Sequence, residues 1–518
     1  METEVLIIGG GATGTALARD LALRGVACFL VEKDDINAGA SGRNHGLLHS
    51  GARYVSNDPA AASECRAEGA ILKRIAPRAI SETGGYFVAV QGDDERYVRD
   101  FPELCQRCGI PVRAVDVKEA RDQEVALSDR TIAVYEVPDA SIDPFRLSLE
   151  NLAQARRLGA KVFRRAAVVA FEREGSRIRA ARVVDRVHGQ EHLVEVRQVA
   201  NAAGAWAASV AALAGARVEM LCSKGTLLIT HGRLARRVIN RLRRPSNGDI
   251  LMPGGTVSVL GTTSTRVESP DEAYPSTEEA DQLVEEGAQM IPSLRETRFI
   301  RAFSGVRPLV ASTDVSDGRA LSRGYALLDH EADGLSNFLT ITGGKLTTCR
   351  LMAERAADLI CARLGVNRPC QTAETPIPAD ATGEWTEPGH SPLAWMRSHG
   401  LDDTLLCECE MVSATMVDAI NAALRACDEP PTLGDIALRS RVGKGACQGA
   451  FCAVRTLAHL YQRGEIQGRR GLPELIEFFR ERWRGQQPVL WGEQLAQAEL
   501  MEALHCGLFS EDLLEQDL

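Results

Sequence analysis

The stretch Val5-Leu6-Ile7-Ile8-Gly9-Gly10-Gly11-Ala12-Thr13-Gly14 decides the fold of this chain. Its four apolar residues are too short a run for a helix and suit a strand buried on both faces of a parallel sheet. The glycines follow at once, and Ala16, Leu17, Leu21 and Leu23 then mark a helix that ends at Arg24-Gly25. A second apolar run, Val26 to Val31, closes on Glu32 and completes a βαβ unit. In such a unit Gly9 makes the tight turn, Gly11 lets backbone approach a pyrophosphate, and Gly14 lets helix and strand pack closely. The helix N-terminus, opening at Ala12 and Thr13, offers amide donors and positive dipole to the phosphates. A carboxylate at Glu32 accepts hydrogen bonds from ribose hydroxyls and repels a 2′-phosphate, which favours FAD or NAD over NADP.

Further along the chain, FAD becomes the better choice. Ser41-Gly42-Arg43-Asn44-His45-Gly46 is a polar, glycine-containing loop suited to wrapping a cofactor. Gln198-Val199-Ala200-Asn201-Ala202-Ala203-Gly204-Ala205-Trp206 reads as a strand breaking into small residues that permit close backbone approach. Thr342-Gly343-Gly344-Lys345-Leu346-Thr347-Thr348 is a glycine turn leading into a helical pattern from Leu351 to Leu364. A helix N-terminus there stabilises negative charge on a reduced flavin ring. Contact segments this widely spaced imply a cofactor that runs through the domain, as FAD does.

A chain of 518 residues accommodates two to four domains. The net charge of −10 excludes a general nucleic-acid binder, which carries a basic face. Met1-Glu2-Thr3-Glu4 runs straight into the first strand, without the basic start and cleavable apolar core of a signal peptide. No apolar run reaches the ~18 residues of a spanning helix, so a cytoplasmic location is expected. Most of the 14 cysteines, Cys28, Cys65, Cys222, Cys349 and Cys361 among them, stand singly and read as small buried hydrophobes. Cys105 and Cys108 form a C-x-x-C, but no second ligand pair or thioredoxin-like pattern accompanies them.

Residues 372–402, with Pro376, Pro378, Pro388 and Pro392 among polar residues, read as a linker. Beyond it come Cys407-Glu408-Cys409 and, later, Gly443-Lys444-Gly445-Ala446-Cys447-Gln448-Gly449-Ala450-Phe451-Cys452. Four thiolates in two short-loop pairs hold either tetrahedral zinc or an iron–sulfur cluster. Zinc sites more often use C-x-x-C pairs, so C-x-C followed by C-x-x-x-x-C favours the cluster. Gly443, Gly445 and Gly449 leave backbone amides free to bond cluster sulfurs. The remainder of the chain, 461–518, is helical in pattern, with Trp483 and Trp491 as packing residues.

Several motifs together resemble the FAD-dependent glycerol-3-phosphate dehydrogenases. They are Arg43-Asn44-His45-Gly46-Leu47-Leu48-His49-Ser50-Gly51-Ala52-Arg53-Tyr54, Leu260-Gly261-Thr262-Thr263-Ser264, Phe303-Ser304-Gly305-Val306-Arg307-Pro308-Leu309, Leu321-Ser322-Arg323-Gly324-Tyr325 and Gly343-Gly344-Lys345-Leu346-Thr347-Thr348. Phe303 stands where that family's motif has Tyr. The cysteine segment resembles a bacterioferritin-associated-ferredoxin-like [2Fe–2S] domain, so the match is to the large (A) subunits of the anaerobic, membrane-associated members. The resemblance implies an α/β fold of D-amino-acid-oxidase type. A Rossmann-like FAD-binding domain is interleaved with a sheet-based substrate domain over 1–371, followed by a mostly helical iron–sulfur domain at 403–460 and a helical tail.

The implied reaction is oxidation of sn-glycerol 3-phosphate to dihydroxyacetone phosphate in glycerol catabolism and anaerobic respiration. Electrons pass through FAD and a [2Fe–2S] cluster at Cys407, Cys409, Cys447 and Cys452. Implied partners are a flavin-containing B subunit, a membrane-anchoring iron–sulfur C subunit and, indirectly, a quinone. The chain would then be peripheral on the inner face of the membrane, and FMN, where it occurs, would belong to the wider complex. A dianionic substrate calls for several fixed cations, preferably forked guanidiniums. By resemblance Arg307 and Arg323 clamp the phosphate, while Arg53, Tyr54 and Lys345 line the pocket beside the flavin. His49 and His45 are the candidate bases for the hydroxyl proton. The implied cofactor contacts, beyond the glycine turn and Glu32, are Lys33, Ser41, Arg43, Asn44, His45, Gly46, Leu47, Val168, Ala203, Gly204, Trp206, Gly305, Gly343, Gly344, Lys345, Leu346 and Thr347.

Two other readings stand beside this one. An amine or amino-acid dehydrogenase of the same flavin superfamily fits the nucleotide fold, but one carboxylate needs fewer cations than a phosphate. An electron-transfer or iron-sensing module built on the cysteines leaves residues 1–371 without a purpose.

Overall fold

The structure, a computed structural model, describes residues 1–310, 324–378, 400, 402–426 and 432–509. The strand Glu2–Ile8 lies parallel to Cys28–Val31 on one side and to Glu191–Asn201 on the other. Val5 and Ile7 enter one core with the helix Ala12–Leu23, while Leu6 and Ile8 enter a second core on the opposite face. A strand apolar on both faces therefore becomes the centre of three layers. Helices Pro144–Arg157 and Cys349–Leu364 flank the first helix on one face. The hairpin Ala166–Glu174/Arg177–Asp185 and the helix Ala207–Leu213 cover the other. Phe338–Gly343 also joins Glu191–Asn201 in parallel, so both the 203–206 turn and the 343–348 turn leave the same end of the sheet as the glycine turn. That end, where strand order changes direction, is where open α/β sheets bind ligands.

Segments between these strands build a nine-stranded second sheet. Its longest pair, Met220–Thr230 against Phe299–Val310, runs antiparallel with Ser223 opposite Arg307. The helix Thr277–Gly287, opened by a Ser276/Glu279 capping box, packs on this sheet. Because strands of the two sheets alternate along the chain, the substrate sheet is folded into the nucleotide domain, as the sequence implies.

Beyond residue 400 the chain forms a short hairpin, Leu405–Cys407 with Val412–Ser413, and helices that include Ala414–Arg425, Leu433–Arg439, Cys452–Gln462, Gly471–Gln486 and Gly492–Phe509. One hydrophobic core runs from Leu406 through Leu457 and Leu460 to Leu475 and Phe478. The cysteine segment and the helices after 460 thus share a core, and the tail expected from 461 onward is part of the same unit. The first residues of the expected linker are also packed: Ile377 is buried and its N–H donates to Ile75 O at 2.7 Å. Residues 379–399 and 401 of that linker lie outside the described residues. Among the described residues no helix is long and apolar enough to cross a membrane.

The tightest approach in the nucleotide domain is at Gly14, where an added Cβ would stand 2.0 Å from Gly9 O. Gly14→Ala is expected to destabilise the protein by about 2 kcal/mol or more, as overpacking against rigid backbone does. The check is thermal unfolding together with flavin content after purification; wild-type values for both would contradict the packing role.

Candidate active site

A cavity of about 390 Å³ opens at the carboxyl end of the central strand. Gly9 adopts φ +114°, and a Cβ there would collide with Ala202 O at 2.6 Å. The first helix begins with no side-chain cap, so its early amides turn toward the cavity. Ser41 Oγ accepts from Ala12 N–H at 3.0 Å, tying the cofactor loop to that helix end. Glu32 sits at the cavity wall and accepts from Gly10 N–H at 2.6 Å and Asp34 N–H at 2.8 Å. Burial pushes its carboxyl above the ordinary range, against the pull of those two amides.

From Arg43 onward the loop passes under the cavity. His49 Nε2 and the Tyr54 hydroxyl stand 3.3 Å apart, and the Lys345 ammonium lies 4.8 Å from the Tyr54 ring centre. Thr347 Oγ1 accepts from His49 N–H at 3.2 Å, joining this loop to the glycine turn Gly343-Gly344, both of whose residues have positive φ. Asp139, buried, accepts from Ser50 N–H at 2.7 Å and from Asn240 Nδ2 at 3.1 Å, which fixes the backbone beside His49. On the far wall Lys33 lies over the Trp206 ring at 4.0 Å.

Among the described residues three arginines, Arg43, Arg53 and Arg307, line the cavity. Arg53 Nη2 donates to Asp249 at 2.8 Å, and its buried Nη1 has no hydrogen-bond partner among the described residues. Arg307 donates from Nη1 to Thr263 O at 3.2 Å and from Nη2 to Thr262 Oγ1 at 2.5 Å. Behind Thr263 the buried Glu279 carboxylate accepts from Thr263 at 3.0 Å, from Thr226 at 2.9 Å and from Lys224 at 2.9 Å. Asp249 thus fixes the Arg53 guanidinium directly, and Glu279 acts on that of Arg307 through Thr263. Neither acid was legible as a site residue, because each lies in a polar turn or a helix's first turn with no motif around it.

The four candidate metal ligands also come together. Cys407 and Cys409 sulfurs are 3.6 Å apart, Cys409 and Cys447 are 4.0 Å apart, and the Cys452 thiol contacts those of Cys407 and Cys447. Among the described residues no group of three or more His, Cys, Asp or Glu side chains is arranged to hold a metal ion. Cys105 and Cys108 are buried, and burial pushes the Cys105 thiol up to about 12, as for an inert core cysteine.

Comparison with known proteins now bears on this geometry. The DAO family profile, described as FAD dependent oxidoreductase, matches residues 4–359. The A subunit of the anaerobic glycerol-3-phosphate dehydrogenase of Escherichia coli K12 is 41% identical, over 99% of this chain and 98% of its own. The chain belongs to the family of anaerobic glycerol-3-phosphate dehydrogenase A subunits, within the FAD-dependent oxidoreductases. The protein of the same name from Haemophilus influenzae is 42% identical over 98% of this chain and 93% of its own. Among solved structures, the FAD complex of glycerol-3-phosphate dehydrogenase from Bacillus halodurans superposes with a TM-score of 0.56 at 20% identity, covering 99% of this chain and 90% of that one. It shares the fold.

The walls of this cavity hold nearly all the residues the sequence singled out. Gly9, Gly11, Ala12, Thr13, Lys33, Asn44, His45, Leu47, Val168, Ala203, Gly204, Gly305 and Leu346 line it. Gly14, Gly46 and Thr347 stand behind the wall: Gly14 against Gly9, Gly46 against Ile142 O, and Thr347 on the His49 amide. Arg323 lies outside the described residues. Residues missed by sequence reasoning include Asn57, Asp58 and Pro245, which line the cavity from loops.

The imidazole of His45 faces the cavity with Arg307 and Arg53 nearby. Burial first, and then those two cations, push it down to about 3, so it is neutral at physiological pH and serves as a hydrogen-bond acceptor. The unfolded chain binds this proton below about pH 6.5 and the folded chain does not, so stability is lost as pH falls from there toward 3. We expect His45 resonances to stay unprotonated from pH 5 to 9. Replacing His45 by Gln should remove up to about 1.4 kcal/mol per pH unit of the acid slope below pH 6. Histidine NMR and unfolding curves across pH 4–8 check both; a midpoint near 6.5 in the native protein would contradict them.

Proposed function

We propose that this chain oxidises sn-glycerol 3-phosphate to dihydroxyacetone phosphate and sends the electrons on through its own cysteine unit to partner subunits. The observation that carries the substrate reading is the buried Nη1 of Arg53, without a hydrogen-bond partner among the described residues, in a cavity shared with Arg307. An uncompensated buried N–H is expensive, and a phosphate oxygen satisfies it. Two forked cations exceed what a single carboxylate requires, which weighs against an amino-acid substrate.

Within this reading Arg53 and Arg307 bind the phosphate and orient the glycerol carbons toward the Gly343-Gly344 turn. The His49–Tyr54 pair, 3.3 Å between Nε2 and hydroxyl, takes the C2 hydroxyl proton, with His49 as the base and Tyr54 orienting its ring. Lys345, beside Tyr54, supplies positive charge where negative charge develops. FAD, when bound, supplies the two-electron acceptor for hydride from C2. Arg53→Gln or Arg307→Gln is expected to raise KM for glycerol 3-phosphate between ~10- and ~100-fold with FAD retained. Anaerobic stopped-flow reduction of the flavin reads this directly; no bleaching of wild-type flavin by glycerol 3-phosphate would remove the proposal.

The convergence of the four thiols supports a [2Fe–2S] cluster assembled on loading, whose chemistry when bound is one-electron transfer. Two thiolates on one tetrahedral centre with ~2.3 Å metal–sulfur bonds stand about 3.8 Å apart, close to the 3.6 Å between Cys407 and Cys409. The acceptors in this reading are a flavin-containing B subunit, then a membrane-anchoring iron–sulfur C subunit, with a quinone beyond them. That arrangement puts the chain at the inner face of the membrane through its partner subunits. Protein purified anaerobically should carry ~2 iron and ~2 sulfide per chain, with an EPR signal on reduction, both lost in Cys447→Ser. One equivalent of zinc and no sulfide would overturn the cluster assignment.

A further inference from the structure

Three contacts of the C-terminal unit land behind segments that line the FAD cavity. The first is a buried ionic network. Asp435, on the helix Leu433–Arg439, pairs with Arg164 at 2.5 Å, with Arg165 and with Arg439 at 3.5 Å. Arg164 and Arg439 also hold Asp35, at 2.8 and 3.1 Å. Asp35 sits in the turn that follows Glu32, and in that same turn the Asn37 N–H donates to Gly10 O at 3.1 Å. The network therefore braces the ribose acid and the glycine turn from behind.

The second contact is made by Lys444, in the loop between Arg439 and Cys447. Its ammonium donates to Ser440 O at 2.9 Å and lies 5.3 Å from the Phe145 ring centre. Phe145 in turn packs on Gly42, where an added Cβ would stand 2.7 Å from Phe145 Cζ. Gly42 lies in the loop that carries Ser41, Arg43 and His45. The third contact is the helix Gly471–Gln486. Glu481 pairs with Arg301, and a Cβ on Gly485 would meet Ala302 O and Arg301 Cγ, each at 2.8 Å. Arg301 and Ala302 belong to the strand Phe299–Val310, which delivers Gly305 against Arg43 O and carries Arg307 into the cavity.

We infer that the C-terminal unit is a structural part of the FAD site, so that FAD binding and the docking of residues 402–509 are thermodynamically coupled. Asp435, Arg439, Lys444 and Gly485 are positioning residues for the cofactor, acting through Asp35, Phe145 and Ala302. Coupling of this kind is reciprocal: what loosens the cysteine unit weakens FAD, and FAD tightens the cysteine unit. Damage at the cysteines thereby reaches the flavin without any change in the cavity itself. The inference rests on family membership for FAD and is independent of both the substrate and the nature of the metal centre.

The full chain, depleted of FAD and titrated with it, gives the dissociation constant by flavin fluorescence. Asp435→Asn removes the shared counter-charge of the network. Gly485→Ala favours the helix itself yet wedges it off the strand, so helix propensity and docking predict opposite signs. Both substitutions lie outside the cavity wall, and each is expected to weaken FAD by about 5- to 150-fold, the usual range of coupling between sites. In the wild type, hydrogen exchange should show added protection in 433–439 and 471–486 when FAD binds. Variants that keep the wild-type FAD constant while those helices lose protection would overturn the inference. So would wild-type helices whose exchange ignores FAD, and that measurement decides the matter even if a variant fails to fold.

Discussion

The structure depends on how closely one helix can start behind one strand. At Gly9 and Gly14 the backbone of the turn and the backbone of the first helix come within a distance that excludes a single methyl group. That approach aims the uncapped helix N-terminus at the carboxyl end of the sheet and sets the second strand so that Glu32 reaches Gly10. The turns at 203–206 and 343–348 leave the same end of the same sheet, so one close contact organises cofactor segments drawn from the whole of residues 1–371.

Charge gives the cavity its chemistry. The chain as a whole is acidic, at −10, yet the cavity gathers Lys33, Arg43, Arg53, Arg307 and Lys345. Glu32, Asp34 and Asp58 also stand at the wall, and two further buried acids are set behind it: Asp249 on Arg53, and Glu279 on Thr263, whose carbonyl accepts from Arg307. Asp249 neutralises part of the Arg53 guanidinium and fixes its direction, while Glu279 fixes Thr263, whose carbonyl accepts from Arg307. Burial, and after it Arg307 and Arg53, keep His45 neutral, so the site holds an uncharged acceptor within a cationic field.

The cysteine unit is bound into this arrangement. Its core continues from the cysteine hairpin to the helix Gly471–Gln486, and Val489 just beyond enters the core of the substrate sheet. A division at residue 460 follows the sequence motif, whereas packing follows buried apolar area, which is continuous across that point. The thiol pairs and the cavity are thus held by shared elements.

Whatever is encoded by neighbours in the chain was legible in the sequence. The βαβ unit, the glycine positions, Glu32, the loop 41–54 and the paired cysteines are local patterns in which spacing dictates geometry, and the family motifs added Arg307 and Lys345. Other features come from residues with no local signature, and only the tertiary structure decided them. Arg53 and Asp249 meet across 196 residues, Arg439 and Asp35 across 404, and Glu279 reaches Thr226 across 53. A charged residue in a polar turn looks the same in sequence whether it faces water or a buried guanidinium. Burial separates the two cases, and burial exists only once both sheets and the C-terminal helices have closed around the cavity.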